Sequence, residues 1–323
     1  MVHILNLLCG IGLFLYGMTV MSEGTEKAFG DKLKRILSVM TKTKTKSILT
    51  GTAVTGVVQS SSVVTVMTVG FVEAGLMNLT QATGIVLGAN IGTTVTSLLI
   101  AFNFSSVAPL AIFVGGMMKL ICKKEKLSRI GEILLGFGLL FLGLNTMGNA
   151  FSHLKDNQAF LNFIVESCDG KLRGILTGII MTAIIQSSSA TVGILQSLCA
   201  QGLVSTESAI YIVLGQNIGT VFTAMISATG KSKGAKQVGM IHLVFNVVGS
   251  VIVAILCEFI PVAGLLKNLE SPSIRVSIFH IVFNVITVIM IIPFYDWMID
   301  VSEKMVNFRI IRTGKTAKKK GTL

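Results

Sequence analysis

Residues Thr50–Val69 read "TGTAVTGVVQSSSVVTVMTV". A glutamine and three serines, Gln59-Ser60-Ser61-Ser62, interrupt small and apolar residues that carry no charge. The same interruption returns in "TGIIMTAIIQSSSATVGIL" at Thr177–Leu195. Sliding residues 50–97 onto 177–224, a shift of 127, aligns 19 of 48 positions identically without a gap, from Thr50/Thr177 to Thr96/Thr223. Shared apolar composition does not duplicate a glutamine, a serine triplet and an Asn-Ile-Gly-Thr at fixed separation. The likeness extends upstream, where "GIGLFLYGM" (10–18) matches "GFGLLFLGL" (136–144) at a shift of 126. The chain therefore consists of two homologous halves and an addition.

Composition fixes the medium. Apolar residues make up 52% of the 323 positions and charged residues 13%, against about 25% charged in soluble domains. Apolar blocks near the ~20 residues of a membrane span recur along the chain. The two-residue alternation of a membrane β-barrel is missing. The reading is an all-α polytopic membrane protein. The net charge of +12 suggests nucleic acid at first sight, but lysine and arginine fall in short clusters between apolar segments, so no nucleic-acid partner is expected. Cys9, Cys122, Cys168, Cys199 and Cys257 show no paired spacing, which indicates neither a disulfide framework nor a transition-metal site. The first lysine is Lys27, so the first apolar run reads as a retained helix rather than a cleaved leader.

Both halves follow one plan. An apolar helix (4–22; 130–149) leads into a more polar segment (25–46; 151–172). In the first half Phe29, Leu33, Ile36, Leu37 and Met40 share a helical face, which predicts an interfacial amphipathic helix. Next come the serine-bearing segment (about 48–76; 175–203), a helix carrying "LGANIGT" or "LGQNIGT" (79–102; 206–229), and one more helix (107–122; 237–259). A seventh helix (273–298) precedes a basic end. The domain division is 1–122 for the first repeat, 123–260 for the second, 261–299 for the additional helix and 300–323 for a cytoplasmic tail.

Orientation follows from the positive-inside rule. If each serine segment enters and leaves on one side and the N-terminus is outside, segments 23–47, 119–129, 230–236 and 300–323 lie inside. They hold 22 of the 27 Lys and Arg, leaving Lys155, Lys171, Arg173, Lys267 and Arg275 outside. Three crossings then insert the second half upside down, and two re-entrant hairpins approach each other at mid-membrane. This predicts two inverted-topology repeats in a multi-pass plasma (inner) membrane protein, with its C-terminus cytoplasmic.

Backbone freed from helices at membrane depth survives only inside protein or along a cavity. Serine, threonine, glutamine and asparagine oxygens satisfy it, and they also replace the water shell of a small cation. A broken helix adds N–H groups that favour an anion and carbonyls that favour a cation. From Ser47 to Met118 the only charged residue is Glu73, and from Gly174 to Gly230 it is Glu207. An anion held there has no side-chain countercharge, and burying it alone is prohibitive. A co-bound cation cancels the charge, so each ion raises the other's affinity.

The paired Gln-Ser-Ser-Ser hairpins and Asn-Ile-Gly-Thr helices resemble the sodium–phosphate cotransporter family, its type II members and bacterial relatives, over residues 1–299. The resemblance implies a non-enzymatic, Na⁺-coupled importer of inorganic phosphate working by alternating access, with Na⁺ as coupling ion and no cofactor. By position it implies phosphate at Ser60, Ser61, Ser62, Ser187, Ser188 and Ser189. It implies Na⁺ at Gln59, Asn90, Thr93, Gln186, Asn217 and Thr220. The lipid bilayer is the other partner, and a homodimer is compatible with this plan. Two departures stand out. The family's electrogenic animal members resemble one another in an aspartate after the first Asn-Ile-Gly-Thr helix, whereas no acidic residue lies between Ala74 and Lys124 here. Many bacterial relatives carry a cytoplasmic helical domain, where this chain is expected to have a short tail. The rival readings are transport of another oxyanion, export of phosphate, and a non-transporting scaffold or receptor.

A second echo, His242-x-x-Phe245-Asn246 and His280-x-x-Phe283-Asn284, places a histidine on each of two late helices. Interhelical hydrogen bonding is the plainer expectation, and gating or pH sensing the alternative. Glu73, matched by Ala200, reads as an interfacial acid or as an ion-path residue.

Overall fold

The structure is a computed structural model that describes residues 2–168 and 170–320, with side chains as far as Asn307. Among the described residues the elements are helices without a strand. They are α1 (Val2–Val39), α2 (Lys44–Val58), α3 (Ser61–Glu73), α4 (Leu79–Ala101), α5 (Ala108–Ile121), α6 (Glu125–Leu154), α7 (Gln158–Cys168) and α8 (Lys171–Ile185). There follow α9 (Ser188–Ala200), α10 (Thr206–Gly219), α11 (Val221–Ser227), α12 (Lys233–Phe259), α13 (Val262–Leu266), α14 (Pro272–Ile291) and α15 (Tyr295–Lys320). Six stretches are long and apolar enough to cross a bilayer: α1, α4, α6, α10–α11, α12, and α14 with the start of α15. This is an all-α polytopic membrane protein.

Glycines set how closely the helices approach. On α1, a Cβ at Gly10 would lie 3.0 Å from Gly143 O, and one at Gly17 would lie 2.7 Å from Gly136 O. The register rises along α1 as it falls along α6, so the two helices run antiparallel. Gly10 is the sequence counterpart of Gly136 and Gly17 that of Gly143. Each glycine therefore faces the counterpart of the other, as across a two-fold axis.

The hairpins repeat this agreement. A Cβ at Gly88 would lie 2.0 Å from Ile48 O and one at Gly92 2.6 Å from Thr52 O, so the register rises along both helices and α2 lies parallel to α4. At the 127-shifted positions a Cβ at Gly215 would lie 2.0 Å from Ile175 O and one at Gly219 2.7 Å from Ile179 O, so α8 lies parallel to α10. With 15 residues in α2 and 13 in α3, the arms are roughly 20 Å long, short of the ~30 Å hydrocarbon layer.

The echo on α12 and α14 also has a structural meaning. Asn246 on α12 bonds Asn217 and Ser250 bonds Leu214 O, so α12 lies antiparallel on α10. On α14, Ser277 bonds Ser97 O and Tyr295, just beyond it, bonds Thr80 O, so α14 lies antiparallel on α4. Each Asn-Ile-Gly-Thr helix thus has a His-x-x-Phe-Asn helix hydrogen-bonded antiparallel to it, and both late helices touch both of them. The 38-residue shift relating α12 to α14 continues to Glu258 and Asp296. Lys44, at the mouth of the first hairpin, reaches Asp296 at 2.7 Å and lies 4.7 Å over the Tyr295 ring. Its counterpart Lys171 reaches Glu258 and lies 5.9 Å over the Tyr211 ring.

Four expectations change in detail. The amphipathic segment is not a separate interfacial helix: α1 runs unbroken for 38 residues. Its predicted face packs on the first hairpin, with Leu33 and Leu37 buried beside Val54 and Val58 and with Met40 exposed. Second, α5 has 14 residues, or about 21 Å. Pro109 sits in its first turn, where a missing N–H costs least, and Gly115 closes it onto Gly131. Third, the hairpins begin four residues earlier than expected, at Lys44 and Lys171; Thr43 caps α2 by accepting from Lys46 N. Fourth, the chain after Pro293 is helical, as α15.

Candidate functional site

Each Gln-Ser-Ser-Ser breaks its helix between the first two residues and restarts it at once. Gln59 ends α2 at φ 60° and Gln186 ends α8 at φ 58°, both left-handed. That conformation is uncommon for residues other than glycine, Asn and Asp. Ser60 then caps α3 by accepting from Val63 N, and Ser187 caps α9 by accepting from Ala190 N. The break is two residues wide, and the second and third serines form the new helices' first turns. Each tip therefore gathers the last carbonyls of one helix, the first N–H groups of the next, and the serine hydroxyls.

The Asn-Ile-Gly-Thr segments lie alongside. Gly92 would place a Cβ 2.6 Å from Thr55 Cβ, and Gly219 would place one 2.7 Å from Thr182 Cβ. Asn90, Thr93, Asn217 and Thr220 are buried, as are Ser61, Ser188 and Ser189. Gln59, Ser60, Ser62 and Ser187 are partly buried, and Gln186 is exposed. Each tetrad is thus brought to its own Asn-Ile-Gly-Thr helix. Among the described residues no hydrogen bond joins one tetrad to the other. The halves interlock indirectly: the end of α4 packs on α9, where Ile100 lies against Gly193, and α11 packs on α3.

The two halves differ in how their polar atoms are satisfied. Asn217 donates to Asn246 Oδ1 at 3.1 Å and its carbonyl accepts from Asn246 Nδ2 at 2.9 Å. Asn90 instead donates to Val86 O within its own helix at 2.9 Å. Thr182 bonds Thr191 at 3.0 Å, whereas its counterpart Thr55 is fully buried with no partner. Gln59 Oε1 and the Thr65 hydroxyl are likewise buried and unpartnered. Buried polar atoms without partners are rare and costly. Two of these oxygens, at Thr55 and Gln59, lie at the carbonyl end of α2, where a small cation is favoured.

No Asp, Glu, Lys or Arg is among the buried residues described, so the interior offers dipoles and no countercharge. His242 and His280 are buried, but neither makes the interhelical hydrogen bond expected of it. Both ring nitrogens of His242 and Nδ1 of His280 are unpartnered, and Asn246 does the bridging instead. Glu73 is exposed and accepts from Ser232 N at 2.8 Å, tying the end of α3 to the start of α12. The hydrogen bonds from Ser232, with Lys231 and Lys236 nearby, hold its carboxyl below the usual carboxylate range.

Several contributors escaped the sequence reading. Thr55 and Thr65 look like ordinary packing threonines until their hydroxyls are found alone. The buried Gln196, Ser97 and Ser277 form a network with the partly buried Ser273 whose members lie up to 180 residues apart. Lys44 and Lys171 were visible in principle, since they obey the 127-residue shift.

The fold and this charge-free polar interior, built on paired helix breaks, define an all-α polytopic membrane protein. The Na⁺/Pi-cotransporter family model matches the chain twice, over residues 13–149 and 151–294, and the chain belongs to that family. It is 31% identical over 282 residues to the Bacillus subtilis "Uncharacterized protein YqeW", covering 87% of this chain and 91% of that one. It is 30% identical over 300 residues to the Salmonella typhimurium "Putative inorganic phosphate export protein YjbB", covering 92% of this chain and 55% of that one. Over 120 residues it is 32% identical to the rat "Sodium-dependent phosphate transport protein 2A", covering 32% of this chain and 18% of that protein. This chain thus spans about half the length of YjbB and a smaller part of the mammalian protein. No solved structure matches it. The family is one of phosphate transporters, and phosphate transport is the function it supports.

Proposed function

We propose that the protein imports inorganic phosphate across the plasma (inner) membrane by Na⁺-coupled symport, with the N-terminus outside and the C-terminus in the cytoplasm. The observation that carries this reading is the pair of helix breaks in an interior without charged residues. An oxyanion on the N–H and hydroxyl groups of Ser60–Ser62 and Ser187–Ser189 requires a cation nearby to offset its charge. Gln59, Asn90 and Thr93, with Gln186, Asn217 and Thr220, supply neutral oxygens for Na⁺, and neither ion binds well alone. Na⁺ is the coupling ion, and no other cofactor takes part.

Alternating access draws support from unequal burial. From Ser188 to Cys199 every residue of α9 is buried, packed by α1, α4, α6 and α14. In α3 only Ser61, Val64, Thr65, Thr68 and Val69 are buried. Two arms of one sequence pattern in two environments correspond to one of two states, and exchange of those environments carries the site from one side to the other.

Export is the second reading, favoured by the name of the YjbB relatives alone. Purified protein in liposomes separates the two. Import predicts labelled phosphate uptake that rises with an inward Na⁺ gradient and collapses in Ser61→Leu and Ser188→Leu. Flux that ignores Na⁺, or survives in both variants, overturns the site assignment. A homodimer would double the mass of the detergent-solubilised particle.

A further inference from the structure

We propose that the Gln196 amide locks α9 against α4 and α14 at the end of the molecule away from the basic loops, and that the opposite end closes with no such lock. The Gln196 side chain is 1% exposed, and its Nε2 lies 2.6 Å from Ser277 Oγ, 3.0 Å from Ser97 O, 3.2 Å from Ser97 Oγ and 3.3 Å from Ser273 O. The serines close the ring. Ser277 donates to Ser97 O at 2.7 Å, the two hydroxyls are 2.9 Å apart, and Ser273 donates to Gln196 O at 3.2 Å. One amide thus joins the first half, the second hairpin and the additional helix. None of these four residues belongs to the serine tetrads or the Asn-Ile-Gly-Thr segments.

The repeats supply a built-in control. The counterparts at the other end are Val69 for Gln196 and Ala224 for Ser97, at the 127-residue shift. Ala235 stands for Ser273 and Gly239 for Ser277, at the 38-residue shift. These positions pack alike: a Cβ on Gly239 would lie 3.4 Å from Ala224 O, where Ser277 reaches Ser97 O. All four are buried. One end is therefore closed by small apolar contacts and the other by the same backbone arrangement with hydrogen bonds added.

The locked end also borders an open depression. Gln196 and Ser273 line it together with Asn103, Asn145, Asn149 and Gln201. Opening at this end exchanges directional bonds for water, and opening at the other wets carbon. Removing the amide therefore loosens one end only. That this closure is a transport gate rests on the function proposed above; the lock itself is tested without substrate.

The test is maleimide labelling in lipid nanodiscs, followed by intact mass. Cys9, Cys122 and Cys257 are changed to serine, and the buried Cys168 and Cys199 are kept. Ile100→Cys serves as reporter beside the lock, since Ile100 is 2% exposed and packs on Gly193. Leu140→Cys, fully buried on α6 where that helix meets α1, reports general loosening. Gln196→Val is expected to speed labelling at position 100 by about tenfold, as the two hydrogen bonds its amide N–H groups donate are lost, and to leave position 140 unchanged. Because Gln196→Val strands the serines and is the variant at risk of misfolding, Gln196→Val/Ser97→Ala/Ser273→Ala/Ser277→Gly copies the other end with no polar group left over. It should show the same selective gain. Equal labelling at position 100 in both variants, parallel gains at 100 and 140, or failure of both variants to give monodisperse protein would make the network ordinary core and overturn the proposal.

Discussion

The two hairpins share a break, a cap and a length, yet α9 is enclosed on all sides while α3 is enclosed on one. The local conformation is the same because it is written locally: a glutamine held left-handed, a serine cap and a glycine seat for the first arm. Burial is written elsewhere, by which neighbours lean on the second arm. The comparison separates what a repeat carries in its own sequence from what the assembled molecule imposes on it. Three substitution pairs test that separation.

The largest effect belongs to what the repeats share. A side chain at Gly88 or Gly215 would place its Cβ 2.0 Å from a backbone oxygen of the hairpin's first arm. Neither backbone can yield without separating two helices. Gly88→Val and Gly215→Val should each cost about 3 kcal/mol or more and leave little monodisperse protein on size exclusion. If one variant folds normally, the arms are not seated equally and the likeness of the halves ends at sequence.

The next effect belongs to what they do not share. Asn217 and Asn246 bond reciprocally across helices, whereas Asn90 bonds only within its own helix. Asn217→Leu strands Asn246 in the interior, at about 1–3 kcal/mol. Asn90→Leu should cost clearly less in the absence of ions. Thermal melts without Na⁺ and phosphate compare them, and equal losses would erase the distinction.

How much of this could be read from the chain follows the same division. The helical class, the duplication and the breaks at Gln59 and Gln186 were legible, because they depend on short-range chemistry and on a repeat that can be aligned by eye. The unbroken α1 was not: Gly24, Thr25 and a run of charges look like the end of a span, and only the packing of Leu33 and Leu37 on the first hairpin carries the helix onward. The partners of His242 and His280 were misjudged because a polar residue in an apolar helix does not announce which neighbour will reach it. Gln196 was invisible for a related reason. Its three serines come from α4 and α14, and nothing near it in sequence foretells that meeting.

A smaller effect of either sign comes from Thr55 and Thr182. Thr182 shares a hydrogen bond with Thr191, so Thr182→Val should destabilise by roughly 1 kcal/mol. The Thr55 hydroxyl is buried without a partner, so Thr55→Val removes a penalty and should stabilise the ion-free protein by a similar amount. Opposite shifts in melting temperature are the expected result. Under the proposed function the Thr55→Val gain shrinks when Na⁺ is added, because the unpartnered oxygen then has a cation to meet.

The smallest effect sits where the arms end, Glu73 on α3 and its counterpart Ala200 on α9. Only the first arm has a carboxylate to accept from Ser232 and tie it to α12. Hydrogen bonding to Ser232 lowers the folded-state pKa of Glu73, which fixes the sign of its pH dependence. The tie is fully present above the unfolded carboxylate value of about 4.3, and it is lost as pH falls through the depressed folded value. The protection factors of residues 228–233, with the intrinsic pH dependence of amide exchange divided out, should therefore be high at neutral pH and fall only in that acid window. Glu73→Gln should flatten the response, since its neutral amide keeps a weaker acceptor at every pH. The arm ending at Ala200 should show no such window. If both ends respond alike, the acid response arises from general unfolding and Glu73 makes no difference between the hairpins.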